Sequence, residues 1–118
     1  MPFPRRSDGR RTDALRPLTI RTDPLKFAAG SVLIAAGDTQ LLCSASLVDG
    51  VPPFLTGKGR GWLTAEYAML PASTPVRKPR GEADGRAQEI RRLIGRALRT
   101  VVDFDALGER TLWLDCDV

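Results

Sequence analysis

The stretch 84–100, DGRAQEIRRLIGRALRT, holds five arginines, and one of them stands apart from the rest. With Arg86 at zero and about 100° per residue, Ile90, Ile94, Ala97 and Val101 fall at roughly 40, 80, 20 and 60° and make one apolar stripe. Arg91, Arg92, Arg96 and Arg99 fall between roughly 140 and 280°, on the opposite side. Arg86 lies inside the apolar sector. An unpaired charge facing a core is costly, so this arginine needs an anion. The start of a helix offers unpaired N–H groups and the positive end of the macrodipole. Anion binding at Arg86 is one reading; a capping salt bridge to Asp84 or Glu89 explains the same residue without a ligand.

Other residues could do chemistry. Asp115 and Asp117 lie two apart and so share one face of a strand. Such a pair can hold magnesium or act as acid and base; a solvent-facing strand side is the plainer reading. Glu66 sits in an apolar run and can pair with a nearby arginine. The glycine-rich GKGRG at 57–61 lacks the spacing and the Lys-Ser/Thr ending of a phosphate-cradling loop, and reads as a turn. The chain has no histidine, which removes histidine-based triads and histidine-ligated zinc. Cys43 and Cys116 sit in strand-like runs without CxxC spacing. They read as two buried free thiols in a reducing compartment.

These residues need elements to position them. Residues 1–14 are polar and rich in Pro and Arg, and read as a flexible basic arm; residues 15–118 read as one domain. LRPLTIR at 15–21 is a short strand kept off a central position by Pro17. SVLIAAGDTQLLCSASLV at 31–48 is a hairpin turning at Gly37-Asp38. A Gly- and Pro-rich loop covers 49–61, and WLTAEYAML at 62–70 is a further strand. A second polar loop, PASTPVRKPRGEADG, covers 71–85. The helix follows over 86–101, capped by Asp84 or Gly85. RTLWLDCDV at 110–118 is a last strand, with Leu112, Leu114, Cys116 and Val118 on one face and Trp113, Asp115 and Asp117 on the other. Its hydrogen-bonding edge is expected to be exposed. The whole reads as α+β, the first part of a longer domain.

The charge is uneven. The 118 residues carry 18 basic and 14 acidic side chains, net +4. Two basic blocks, 1–21 and 77–99, lie on a mildly acidic remainder, which points to a polyanionic partner. No segment approaches the ~18 apolar residues of a membrane span. The opening MPFPRRSDGRR has no apolar core and is not a secretory signal. A cytoplasmic location without a membrane partner is the expectation.

The chain resembles the bacterial ribonuclease PH family, phosphorolytic exoribonucleases that trim tRNA 3′ ends. RSDGRRTDALRPLTI at 6–20, GSVLIAAGDTQLLCSAS at 30–46, GRGWLTAEYAMLPAST at 59–74 and GRAQEIRRLIGRALRTVVD at 85–103 carry the resemblance, with LDCDV at 114–118. The resemblance implies an α+β fold of the type in ribosomal protein S5 domain 2, assembled as a homohexamer, a trimer of dimers. It implies inorganic phosphate as co-substrate, magnesium, and precursors of tRNA or other RNA 3′ ends as partners. It places the attacking phosphate on Arg86, which answers to the arginine of the family's Gly-Arg pair. It places tRNA on a basic loop, here Arg77, Lys78 and Arg80. The loop from Pro71 to Gly85 is a few residues shorter than is usual in the family. A second phosphate-binding Gly-Thr-Arg run and the catalytic, metal-binding aspartates are expected beyond Val118. No catalytic residue and no metal ligand is therefore expected within this chain. Two alternatives are a non-catalytic RNA-binding module, and a subunit completed by a separately encoded second half.

Overall fold

The computed structural model describes residues 4–81 and 84–118. Five strands make one mixed sheet: β1 (Leu18–Thr22), β2 (Gly30–Ala36), β3 (Thr39–Asp49), β4 (Trp62–Ala68) and β5 (Arg110–Asp117), in the order β1-β2-β3-β5-β4. The first three neighbour pairs are antiparallel; β4 and β5 are parallel. Parallel neighbours need a crossover. Helix α1 (Gly85–Leu98) supplies it, followed by a 3-10 turn at Arg99–Val101 and the short helix α2 (Phe104–Leu107). The chain is thus α+β. The β2–β3 hairpin turns at Gly37-Asp38, where Gly37 takes φ 60°, the left-handed backbone that glycine adopts without cost. β1 begins directly after Pro17 and lies at a sheet edge.

Two expectations need correction. β5 is not an exposed edge: β3 and β4 flank it, so both of its hydrogen-bonding sides are paired. The strand lies inside the sheet because the crossover inserts it there, which linear order does not reveal. The second correction concerns the helix face. Ala87, Ile90, Arg91, Ile94 and Gly95 turn toward β4, whereas Leu93 and Val101 are 55% and 75% exposed. Arg91 and Arg99, assigned to the outer face, instead wrap against β4. Arg99 Nε donates to the Leu63 carbonyl at 2.9 Å, and its guanidinium lies 4.2 Å from the centre of the Trp62 ring. Arg91 Nη1 lies 3.3 Å from Glu66 Oε2, the pairing anticipated for Glu66. These arginines cover apolar surface with their stems while their heads find partners, so the packed face is rotated from the apolar stripe.

By the two-residue alternation of strands, Leu63 and Ala65 share a face with Leu112, Leu114, Cys116, Cys43 and Val32. This is the core face, and it is deepest at Leu63, 2% exposed. Phe54 meets Trp62 edge-on, and Phe104 stacks on it, closing the far end of β4. Buried Thr111 is satisfied, its hydroxyl donating to the Gly50 carbonyl at 2.7 Å. The described part of the basic arm is folded into a tight turn. The Gly9 amide donates to Arg6 O, the Arg6 amide to Arg10 O, and Arg10 Nε meets Asp8 Oδ2 at 2.8 Å. Met1–Phe3 of that arm lie outside the described residues.

Candidate functional site

β4 and β5 run parallel, so both carboxyl ends lie at one end of the sheet. The crossover helix starts at that end. This arrangement places a helix N-terminus beside the ends of two strands, the general location of ligand crevices in parallel sheets.

The helix starts where it does because Asp84 caps it. Asp84 has extended backbone, φ −103° and ψ 160°, and its Oδ1 accepts the Ala87 amide at 2.6 Å. Lys78 reaches the same carboxylate, Nζ to Oδ2 at 3.5 Å. The Ala87 amide, more than Lys78, holds the Asp84 carboxyl below the usual carboxylate range. The loop from 69 to 81 is closed on itself and on β5. The Lys78 amide donates to Pro71 O at 2.9 Å, the Ser73 amide to Leu70 O, and the Leu70 amide to Val118 O at 2.8 Å. Loop closure brings Lys78 and Arg80 over the helix start. Residues 82 and 83, within the predicted 71–85 loop, lie outside the described residues.

The result is a hollow lined by Arg86, Lys78, Arg80, Asp84, Tyr67 and Asp117, with an apolar floor that includes Ile90. Arg86 is exposed toward this hollow and makes no ion pair among the described residues, to Asp84 or to any other carboxylate. It acts on Asp84 only through the weakest contribution to the lowered carboxyl. Three cations face two carboxylates, of which Asp84 is engaged by the cap and Lys78. The hollow can take an anion on a guanidinium fork. Arg77 is exposed and does not line it.

Asp115 and Asp117 do share one strand face, and Glu66 is the register partner of Asp115 across β4–β5. Partial burial, then the Asp117 and Glu66 charges, push the Asp115 carboxyl up. Among the described residues no three such donors gather at one point. The GKGRG loop is bound into the fold. The Gly57 amide donates to Glu109 Oε1 at 2.6 Å, and Arg60 Nε meets Asp105 at 3.0 Å. Its amides are thus not gathered toward a phosphate. The sequence reading did not associate Asp117 or Tyr67 with Arg86. The signal was available in the strand–helix–strand order, which carries both strand ends and the helix start to one place.

Comparison with known proteins bears on this geometry. A profile of the 3′ exoribonuclease family, domain 1, matches residues 14–118. The ribonuclease PH proteins of Listeria monocytogenes and Listeria innocua are each 58% identical over 117 residues, covering 96% of this chain. The chain spans only 47% of the length of each. Among solved structures, an Archaeoglobus fulgidus exosome with RNA bound to the active site is similar, with TM-score 0.81 and 26% identity. The match covers 96% of this chain and 47% of that one. Rice (Oryza sativa) Rrp46, at 21% identity and TM-score 0.79 over 96% of this chain and 50% of its own, shares the fold.

Proposed function

The chain belongs to the 3′ exoribonuclease family, and on that premise we propose that it supplies the phosphate-orienting and RNA-gripping part of a phosphorolytic 3′-to-5′ exoribonuclease that trims tRNA 3′ ends. One observation carries the reading: Arg86 stands at the first turn of α1, beside Lys78 and Arg80, without an ion-pair partner among the described residues.

Inorganic phosphate is the co-substrate. One of its oxygens attacks the phosphorus of the last RNA linkage. A P–O bond forms, the bond to the preceding 3′ oxygen breaks, and a nucleoside diphosphate leaves. Both reactants are anions, so they repel. The Arg86 fork receives two phosphate oxygens, offsets that repulsion and fixes the direction of approach. Arg77, Lys78 and Arg80 hold the tRNA backbone by charge, without reading sequence. Magnesium, which the family implies, is not assigned to any residue of this chain.

We place the protein in the cytoplasm as part of a homohexameric ring. The chain exposes 8835 Å², against roughly 6,300 Å² for a compact monomer of this mass, surface left for the remaining half of the protein and for further copies to cover. No helix among the described residues is long and apolar enough to cross a membrane. The chain's relatives are about twice its length, so we expect binding by the 118 residues alone and turnover only with the remaining half, in cis or in trans. The test uses labelled tRNA precursor, magnesium and varied phosphate. Phosphate-dependent release of nucleoside diphosphates by the completed protein is expected. Release that ignores phosphate sinks the phosphorolytic reading, and diphosphate release by the 118 residues alone sinks the division of labour.

A further inference from the structure

Cys43 of β3 and Cys116 of β5 are direct register partners in an antiparallel pair. Such pairs alternate between hydrogen-bonded and non-hydrogen-bonded sites. The phase is fixed at the end of the ladder, where the Gly50 amide donates to the Glu109 carbonyl at 2.9 Å. Gly50 and Glu109 continue the same register, so theirs is a bonded site. Stepping from 50 to 43 on one strand, and from 109 to 116 on the other, is an odd count of seven. The two cysteines therefore occupy a non-bonded site, where opposite Cα atoms approach to about 4.5 Å and side chains are closest. A disulfide spans Cα separations of about 4.4–6.8 Å. No other cysteine competes, since the chain has two.

The two thiols differ in access. Cys116 is 5% exposed, while Cys43 is only partly covered. Burial first, and then the neighbouring Cys43 thiol, push Cys116 up to about 12. Cys43 is thus the thiol an oxidant meets first, and Cys116 is a protonated reserve held against it. We propose that Cys43 and Cys116 form an oxidation site that peroxide closes into one intramolecular disulfide, bolting β3 to β5. The balance is simple. Cys43 sulfur attacks hydrogen peroxide, giving Cys43 sulfenic acid and one water. Cys116 sulfur then attacks Cys43 sulfur, the S–O bond breaks, and the Cys116 proton leaves with the hydroxyl as a second water. Two thiols are oxidised by two electrons in all, and one peroxide is reduced.

The test needs only the purified chain. After peroxide treatment and quenching, the protein is unfolded, alkylated with N-ethylmaleimide and weighed. Alkylatable thiols fall from two to none, the mass drops by two hydrogens, and a peptide pair linking positions 43 and 116 appears; dithiothreitol restores both thiols. Cys116→Ser stops at a Cys43 sulfenic acid that dimedone traps. The proposal is overturned if the folded chain keeps both thiols under peroxide, if bonds form only between chains, or if Cys43 passes to sulfinic acid with Cys116 still free.

Discussion

The Lys78 ammonium sits 3.5 Å from the same Asp84 carboxylate that caps α1. One side chain thus starts the helix and anchors the basic loop above it. Asp84→Asn keeps an acceptor for the Ala87 amide but drops the charge that holds Lys78. Asp84→Ala removes both. We expect Ala to lower the urea midpoint more than Asn does, and both to loosen the loop. The folded Asp84 carboxyl is depressed, so its contribution to stability is present above the ordinary carboxylate range and is lost as pH falls through the folded value. Acid titrations of unfolding should show that loss in the wild type and not in Asp84→Asn. Matching acid profiles for the two proteins would remove Asp84 from this role.

Arg86→Ala should weaken phosphate use far more than RNA binding in a completed enzyme. Losing charge-assisted hydrogen bonds of this kind costs on the order of 1.5–3 kcal/mol, or roughly ten- to a hundredfold in phosphate-dependent rate. Arg86→Lys should recover only part of it, because an ammonium cannot bind two oxygens as a fork does. Steady-state rates against phosphate concentration measure this. An unchanged phosphate dependence in Arg86→Ala would mean the hollow does not hold the attacking anion.

Replacing Arg77, Lys78 and Arg80 together with alanine should lower tRNA affinity and flatten its salt dependence. Each lost phosphate contact reduces the log–log slope by about 0.7–0.9. Arg77 lies outside the hollow, so Arg77→Ala alone should affect tRNA and leave phosphate affinity untouched. Filter binding across a salt series decides between a backbone grip and a solvated loop. An unaltered slope in the triple variant favours the solvated loop.

The sequence carried most of the elements and less of their mutual placement. The hairpin at Gly37-Asp38, the cap at Asp84 and the faces of residues 110–118 follow from local chemistry, and local chemistry is written in neighbouring residues. The interior position of β5 is a matter of topology, which a linear pattern states only through the crossover. The packed helix face departs from the apolar stripe for a different reason. Arginine is polar by type, yet Arg91 and Arg99 lie along β4 and satisfy their heads at Glu66 and Leu63 O. An apolar stripe predicts the buried face only when long cationic stems do not compete for it. Arg86, expected inside the apolar sector, is instead exposed at the first turn of α1, and Asp117 reads as a strand residue because its distance from Arg86 in sequence hides their common hollow.

Asp115 supplies a pH test of opposite sign to Asp84. Its folded carboxyl is raised, by burial first and then by Asp117 and Glu66. A raised carboxylate makes the native state bind its proton more tightly than the unfolded chain does. The associated stability is present at low pH and is lost as pH rises from the ordinary aspartate value through the folded one. Asp115→Asn removes the charge at nearly constant shape. It should raise the thermal midpoint at neutral pH, and the gain should vanish below about pH 4, where the unfolded aspartate is itself protonated. A gain independent of pH would point to packing rather than charge.

Among the glycines, Gly61 has the least room for a side chain. A Cβ there would lie 2.5 Å from Leu107 Cδ2, 2.7 Å from the Gly108 carbonyl oxygen and 2.9 Å from the Arg110 carbonyl oxygen. The leucine tip could move aside, but the two carbonyls belong to the turn that feeds β5 and to the first residue of β5 itself. The Gly61 amide also donates to Phe104 O at 2.9 Å, tying the start of β4 to α2. Gly61→Ala must therefore push the 104–110 segment away from β4 and disturb the entry of β5. Overpacking of this kind costs about 1–3 kcal/mol. Gly59→Ala is the contrasting substitution, because Gly59 has open space around its Cβ position and a φ of 68°. Its cost comes from backbone conformation alone, of order 1 kcal/mol. Urea unfolding should rank Gly61→Ala as the more damaging of the two, and Leu107→Ala added to Gly61→Ala should return little, since the carbonyl clashes remain. Full rescue by Leu107→Ala would show that the leucine tip, and not the backbone, sets the limit at Gly61.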